Sequence, residues 1–370
     1  MITELHVQNY GCLGQVAATG LTPIHAFVGP NDSGKSTLLR AVRVLASFAA
    51  GNPQQAVRFD MQVSGASPER PISLACMAGT GAYRVFFDGG RPKDGALTPA
   101  TLAPQAMEVR GRDWDQAPDR TNPIRAALLD EVGPARAIRL DADALRSPAV
   151  LLAPDQRVDF QNERGAGLAA VLDAIRDRGD NAFEAIRDAV RQLFREVDLL
   201  QLVRVGGNAK VVGVKLRDGT EVPASAMSDG LLFYIALTAL PHLARTSVLL
   251  VEEPENGLHP ARIAEVMMVL REISKRTQVL IATHSPLVIN ELEGHEVSVV
   301  TRSRQQGSKL VLLEDTPGYE ERSRVYKNGE LWLSYCDGTE ESPLLTEPQE
   351  PSDPGPPVEW ADEGAGEANA

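Results

Sequence analysis

The octapeptide Gly29-Pro-Asn-Asp-Ser-Gly-Lys-Ser36 restricts the possible folds of this chain more than any other stretch. A short apolar run, Ile24-His-Ala-Phe-Val28, leads into it. The segment after it places Leu38, Leu39, Val42 and Leu45 on one helical face. Strand, glycine-bounded loop and helix in that order are the context in which the pattern G-x-x-x-x-G-K-[ST] cradles phosphate. Gly29 and Gly34 permit torsions that side chains would block, so backbone N–H groups can turn inward on an anion. The helix adds its positive N-terminal end. The candidate nucleotide set is therefore Gly29, Pro30, Asn31, Asp32, Ser33, Gly34, Lys35, Ser36 and Thr37. Lys35 is expected to reach the β- and γ-phosphates of ATP, and the Ser36 hydroxyl to ligate Mg²⁺.

A second stretch, Val248-Leu-Leu-Val-Glu-Glu-Pro-Glu-Asn-Gly-Leu-His-Pro260, reads as a buried parallel strand that stops at charge. Carboxylates at such a place are costly unless positive charge stands beside them. Glu252 and Glu253 thus suggest a bound cation at the carboxyl end of a sheet, where open α/β folds hold ligands. Gln278-Val-Leu-Ile-Ala-Thr-His-Ser-Pro286 is a further buried strand that ends in a polar cluster at His284. Ser228-Asp-Gly230 opens the apolar helix Leu231–Leu240, a weaker signal of an anion-binding helix end.

The remaining chain is read as follows. Residues 1–28 give two or three strands with a turn at Gly11–Gly14. Ile72–Met77 and Ala82–Phe87 suggest an antiparallel layer, and residues 89–134 suggest long loops. Arg110, Arg112, Arg136 and Arg139 are read as solvated surface. Residues 165–197 are expected to be helical, with Phe183, Ile186, Val190, Leu193 and Val197 in register and a turn at Asp177–Asp180. Residues 201–216 return to strand, with a hairpin turn at Arg217–Thr220. After Pro260 a helix turns Ile263, Val266, Leu270 and Ile273 inward, and Val297–Thr301 with Leu310–Leu313 suggest a terminal hairpin. No heptad pattern lasts long enough for a coiled-coil arm.

Charge is unevenly placed. Of the net charge of −13, eleven acidic residues follow Lys327 with no Lys or Arg among them, so the body carries 39 acids against 37 bases. Residues 339–370 are expected to be a disordered acidic tail. No apolar run approaches the roughly eighteen residues of a membrane span. Three scattered cysteines (Cys12, Cys76, Cys336) offer neither a disulfide framework nor a metal spacing, which fits a reducing cytoplasm.

Taken in order, Gly29–Ser36, a helical insertion, Ser228–Gly230, Glu252–Pro254 and His284 resemble the ABC-type ATPase head shared by the RecF, SMC and overcoming-lysogenisation-defect (OLD) families. The wording of Glu252–Pro260 and of Ala282–Pro286 is most similar to the OLD-like AAA ATPases of bacterial defence systems. The resemblance covers about residues 1–315. It implies an α/β P-loop NTPase fold: a mixed parallel sheet, an antiparallel β layer and an inserted helical lobe. It divides the head into a core, 1–135 and 205–315, and a lobe, about 136–204, followed by an extension, 316–338. It further implies that Glu252 holds Mg²⁺, with glutamate where the family usually has aspartate, and that Glu253 orients the attacking water. His284 would touch the γ-phosphate, and Ser228 and Gly230 would cap ATP on a second protomer. The family's glutamine loop has no assignable residue, since Gln156 and Gln161 both lie near its place.

The expected function is ATP hydrolysis by a head that forms an ATP-dependent homodimer or higher oligomer and works with DNA or a separate nuclease or effector chain, in antiphage defence or DNA maintenance. Two other readings are an ATPase subunit of a membrane transporter and a nucleotide-dependent scaffold that does not hydrolyse. Gly257-Leu-His-Pro260, in place of the Ser-Ala-Leu-Asp typical of transporter heads, speaks against the first. Glu252 in place of aspartate is the only support for the second.

Overall fold

A computed structural model describes residues 1–49, 72–78, 81–88, 91–93, 106–107, 131–303 and 307–335. The expected acidic tail, most of the expected 89–134 loops, and Arg110 and Arg112 fall outside these residues. In chain order the structure runs β1 (Ile2–Tyr10), β2 (Leu13–Ala18), β3 (Ile24–Val28), α1 (Lys35–Ala49), β4 (Ile72–Ala78), β5 (Gly81–Asp88), β6 (Arg91–Lys93), β7 (Ala106–Met107) and β8 (Ala135–Ile138). It continues with α2 (Ala142–Arg146), β9 (Ala149–Val150), α3 (Leu168–Asp177), α4 (Ala182–Leu193), β10 (Val197–Arg204), β11 (Ala209–Leu216), β12 (Glu221–Pro223) and α5 (Asp229–Ala239). The last part comprises β13 (Val248–Glu252), α6 (Ile263–Ser274), β14 (Gln278–Thr283), α7 (Pro286–Ile289), β15 (Val297–Ser303), β16 (Gly307–Leu312), α8 (Tyr319–Arg322) and α9 (Asn328–Tyr335).

The central sheet has the order β16-β15-β3-β14-β13-β8. Its inner pairs are all parallel, and only β16 runs antiparallel, at one edge. Both faces are covered, which is why its strands read as continuous apolar runs rather than alternating ones. Leu249 and Val251 of β13, Val279 and Ile281 of β14, and Ile24, Ala26 and Val28 of β3 face a core that includes α3, α4, α5 and α6. Val248, Leu250, Leu280, Ala282 and Phe27 face a second core formed with α1 and the antiparallel sheet β2-β1-β4-β5-β6. Leu38, Leu39, Val42 and Leu45 of α1 are buried there, as their spacing requires. Helix α1 is thereby fixed against the sheet, and the loop before it is held at the sheet's edge.

A third sheet, β10-β11-β12 with β9 on β11, accompanies α3 and α4. The structure differs from expectation here in two places. Helix α4 ends at Leu193 and Val197 begins β10, a buried strand position. The expected single strand over 201–216 is two strands, β10 and β11, joined at Gly206-Gly207 with both glycines at positive φ. The turn at 217–220 is present and joins β11 to β12, with Leu216 N donating to Thr220 O at 2.8 Å. Apolar periodicity alone extended the helix to Val197, because a buried strand residue and a buried helix residue look alike in a short window.

His25 lies within β3, fully buried, with Nε2 2.8 Å from Ser298 Oγ and Nδ1 3.1 Å from Thr22 Oγ1. Burial pushes its pKa down from 6.5 to about 4. The unfolded chain takes up a proton below about pH 6.5 that the folded chain refuses until about pH 4. His25 therefore leaves stability unchanged above pH 6.5 and lowers it progressively as pH falls through that window, by about 3 kcal/mol in all. Urea unfolding of the wild type should show this loss between pH 7 and pH 4, and His25→Gln should flatten it. An equal slope in both proteins would show that other groups set the acid limit.

Candidate functional site

Register places the site. In β14, Thr283 stands opposite Val28 of β3, and Ala282 stands opposite Glu252 of β13. In β8, Ile138 stands opposite Val251. Four parallel strands therefore end in one row, and the residues that follow them are Gly29, His284, Glu253 and Arg139. The phosphate loop lies more than two hundred residues before the acidic strand and His284, and all three share one sheet edge because the strands carrying them are neighbours.

The loop Gly29–Ser36 turns directly from β3 into α1. Asp32 and Gly34 have φ of 64° and 113°, so the loop passes twice through the left-handed region. A side chain at Gly29 would put Cβ 2.2 Å from Val300 O, and one at Gly34 would put it 2.5 Å from Leu13 Cδ2. Glycine is thus required at Gly29 by close approach of backbone and at Gly34 by torsion. Lys35 Nζ donates to Gly29 O at 2.7 Å and Pro30 O at 2.6 Å, which folds the ammonium over the loop. The buried Ser33 Oγ has no hydrogen-bond partner among the described residues. Cys12, half-buried, lies against the loop, with Sγ 3.5 Å from Thr37 Oγ1. Cys76 is buried, and burial pushes its thiol pKa up to about 12.

The acidic strand meets this loop. Ser36 Oγ donates to Glu252 Oε2 at 3.3 Å. Glu253 adopts φ of 50°, unusual for a residue with a side chain, and is held by its N–H donating to Ala282 O at 2.8 Å. Asn256 Nδ2 donates to Glu253 Oε2 at 2.6 Å and fixes that carboxylate. A backbone strained at such a point is a mark of functional sites. Arg139 faces both acids, with Nη1 3.7 Å from Glu252 Oε2 and Nη2 3.5 Å from Glu253 Oε2.

His284 is half-exposed, with Nδ1 3.8 Å from Glu255 Oε1. The same Oε1 accepts from Thr283 Oγ1 at 2.6 Å, and Thr283 Oγ1 accepts from Ser285 N at 2.9 Å. Glu255 Oε2 is buried without a hydrogen-bond partner among the described residues. Glu255 and Thr283 thus set the backbone on either side of His284.

Ser228 caps α5, its Oγ accepting from Leu231 N at 3.4 Å. Gly230 packs on the loop after the acidic strand, where an added Cβ would come 3.1 Å from Gly257 O. Arg146 ties Asp229 to the backbone of Ala224 and Met227. Ser228 and Asp229 are exposed. The signature segment therefore borders Gly257 and Leu258 rather than the loop Gly29–Ser36.

Sequence reasoning left out Arg139, Glu255 and Asn256. Arg139, read as solvated surface, is paired with both carboxylates, and Arg136 forms a two-point hydrogen bond with Asp159 at 2.9 and 2.7 Å. The strand before Arg139, Ala-Arg-Ala-Ile, is too short and too polar to announce itself, and it straddles the expected lobe boundary at 136. Gln156 Oε1 accepts from Ala153 N at 3.3 Å, and Gln161 lies against Gly167.

The residues present suit a nucleotide with Mg²⁺. The loop offers a close-packed backbone, a lysine and an unpartnered buried hydroxyl at Ser33. Ser36 and Glu252 offer two adjacent oxygens. No group of three or more His, Cys, Asp or Glu side chains could hold a metal among the described residues.

Among solved structures, the chain is similar to an SMC head bound to the C-terminal winged-helix domain of ScpA, with a TM-score of 0.55 and 18% identity, covering 84% of this chain and 97% of that one. It is also similar to an Smc head domain with an extended coiled coil bound to the C-terminal domain of ScpA from Pyrococcus furiosus, with a TM-score of 0.50 and 14% identity, covering 87% and 99%. At these identities the likeness is one of fold. No curated protein matches the chain by sequence. A family profile described as "AAA domain, putative AbiEii toxin, Type IV TA system" matches residues 24–72 and 112–290, more than half of the chain and all of the row of strand ends. The chain has the fold of these heads, is a P-loop ATPase and belongs to that AAA-domain family.

Proposed function

We propose that this ATPase is a nucleotide-gated switch of the OLD-like kind, closing head to head on ATP and opening after hydrolysis, and that it acts on a separate effector or nuclease chain, or on DNA, in cytoplasmic antiphage defence or DNA maintenance. The observation that carries the reading is the 3.3 Å contact between Ser36 Oγ and Glu252 Oε2, which joins the phosphate loop to the acidic strand across 216 positions. The family description's mention of a toxin system supports a defence setting. The ScpA-bound heads support a protein partner. No helix among the described residues is long and apolar enough to cross a membrane.

The residues divide the work as phosphoryl transfer demands, by positioning and charge neutralisation rather than covalent chemistry. Lys35 leaves the carbonyls of Gly29 and Pro30 for the phosphate oxygens. Ser36 and Glu252 would hold Mg²⁺, which would supply positive charge against the phosphates. Glu253, fixed by Asn256, accepts a hydrogen bond from the attacking water and aligns it. His284, steadied through Glu255 and Thr283, donates to the γ-phosphate. The exposed N-terminal end of α5, with Ser228 and Gly230, faces outward and caps the nucleotide of a second copy. Loss of the γ-phosphate removes that bridge and lets the heads part.

Lys35→Ala should abolish binding of a fluorescent ATP analogue in an anisotropy titration; retained affinity would remove the phosphate loop from the site. Glu253→Gln should bind ATP and lose hydrolysis by roughly a hundredfold or more. With ATP it should run as a dimer or larger on size exclusion. If it stays monomeric at saturating ATP, the face-to-face arrangement is wrong.

A further inference from the structure

We propose that Arg139 is a positioning residue that stands at the cation's place beside Glu252 and Glu253, and that it competes with the divalent cation for Glu252. The inference rests on the reading of Ser36 and Glu252 as the Mg²⁺ pair.

Three observations carry it. First, Arg139 follows the strand next to the acidic strand, and Ile138 stands opposite Val251, so its backbone is fixed at the level of Glu252. Second, the guanidinium spans both acids, 3.7 Å from Glu252 Oε2 and 3.5 Å from Glu253 Oε2. Glu252 Oε2 is also the atom that accepts from Ser36 Oγ. One oxygen therefore serves both the arginine and the hydroxyl that would share the metal. Third, Arg139 is 62% exposed on its side chain, whereas Glu252 and Glu253 are 20% and 29% exposed. The acids are built in, and the arginine is free to swing.

The electrostatics follow. Glu252 and Glu253 are adjacent like charges in a partly buried cleft, and a nearby cation offsets the repulsion between them. A divalent ion on Glu252 supplies that charge in greater measure and repels a guanidinium a few ångströms away. The two cations therefore exclude one another. The distances exceed those of hydrogen bonds, so the arginine is held by charge alone and yields readily. Its departure has somewhere to register. Arg139 N donates to Glu163 O at 2.8 Å and Asp141 N donates to Arg164 O at 3.1 Å. Glu163 in turn accepts from Arg43 of α1 at 2.6 Å. The strand end that bears Arg139 is thus pinned to the segment that leads into α3, so release of the guanidinium acts where core and helices join.

The test is a Mg²⁺ titration of the binding of a fluorescent non-hydrolysable ATP analogue, with wild type, Arg139→Gln and Arg139→Lys. Arg139→Gln should lower the half-saturating Mg²⁺ concentration by roughly two- to fivefold, the size exposed ion pairs reach. Arg139→Lys, which keeps the charge, should stay near wild type, and affinity for the analogue in EDTA should not change. In melting experiments without nucleotide, Mg²⁺ should raise the melting temperature of Arg139→Gln more than that of the wild type. An unchanged or raised Mg²⁺ midpoint in Arg139→Gln overturns the proposal, and so does loss of its metal-free nucleotide binding, which would make Arg139 a phosphate contact. If wild-type binding shows no dependence on Mg²⁺, the failure lies with the Ser36–Glu252 metal pair instead.

Discussion

Two carboxylates at the end of a strand buried on both faces set the terms for everything around them. Val248 to Val251 are at most 2% exposed, so β13 carries Glu252 and Glu253 out of a dry interior. Such charges are tolerated only with partners close by, because the interior offers no water to replace them. The partners come from separate elements: Ser36 from the start of α1, Arg139 from the end of β8, and Asn256 from the loop beyond β13. Each is in place because its element is held by burial elsewhere, as α1 is by Leu38, Leu39, Val42 and Leu45. The hydrophobic cores thus position a polar site at their edge.

The site is tied to the rest of the molecule at both ends. Glu253 keeps a left-handed backbone only because the neighbouring strand accepts its N–H at Ala282. The loop that follows reaches a glycine at φ of 68°, Gly257, packed under Phe233 and Asp229 of α5. A movement of α5 therefore reaches the acidic loop directly, and a movement of the 163–164 segment reaches Arg139. A change in what occupies the carboxylates has two short mechanical routes outward, one to the exposed N-terminus of α5 and one to the base of α3.

Legibility in the sequence followed the strength of the local constraint. The phosphate loop could be read because close approach at Gly29 and torsion at Gly34 leave few alternatives to glycine, and these leave a spacing that survives any context. The acidic strand could be read because four buried apolar residues ending in two acids is a costly pattern with few explanations. Arg139 could not be read, since its strand is four residues long, contains an arginine, and gains its meaning from pairing with β13. Glu255 looked like one more acid in a charged loop, and its contact with Thr283 exists only because β13 and β14 are neighbours. The split of 197–216 into two strands was hidden because Val197 fits helical and extended spacing alike.

The sequence by itself determined the chemistry on offer: a loop shaped for phosphate, a strand ending in acids, a histidine at the end of a third apolar run, and the apolar faces that make each of them a buried element. It did so because backbone torsion and burial are local demands that each residue meets or fails in its own place. Only the tertiary structure decided that β3, β14, β13 and β8 lie side by side, and hence that Arg139 stands before both carboxylates. Strand order and register are set by the packing of whole faces against one another, a property of the assembled sheet that no single window of sequence contains.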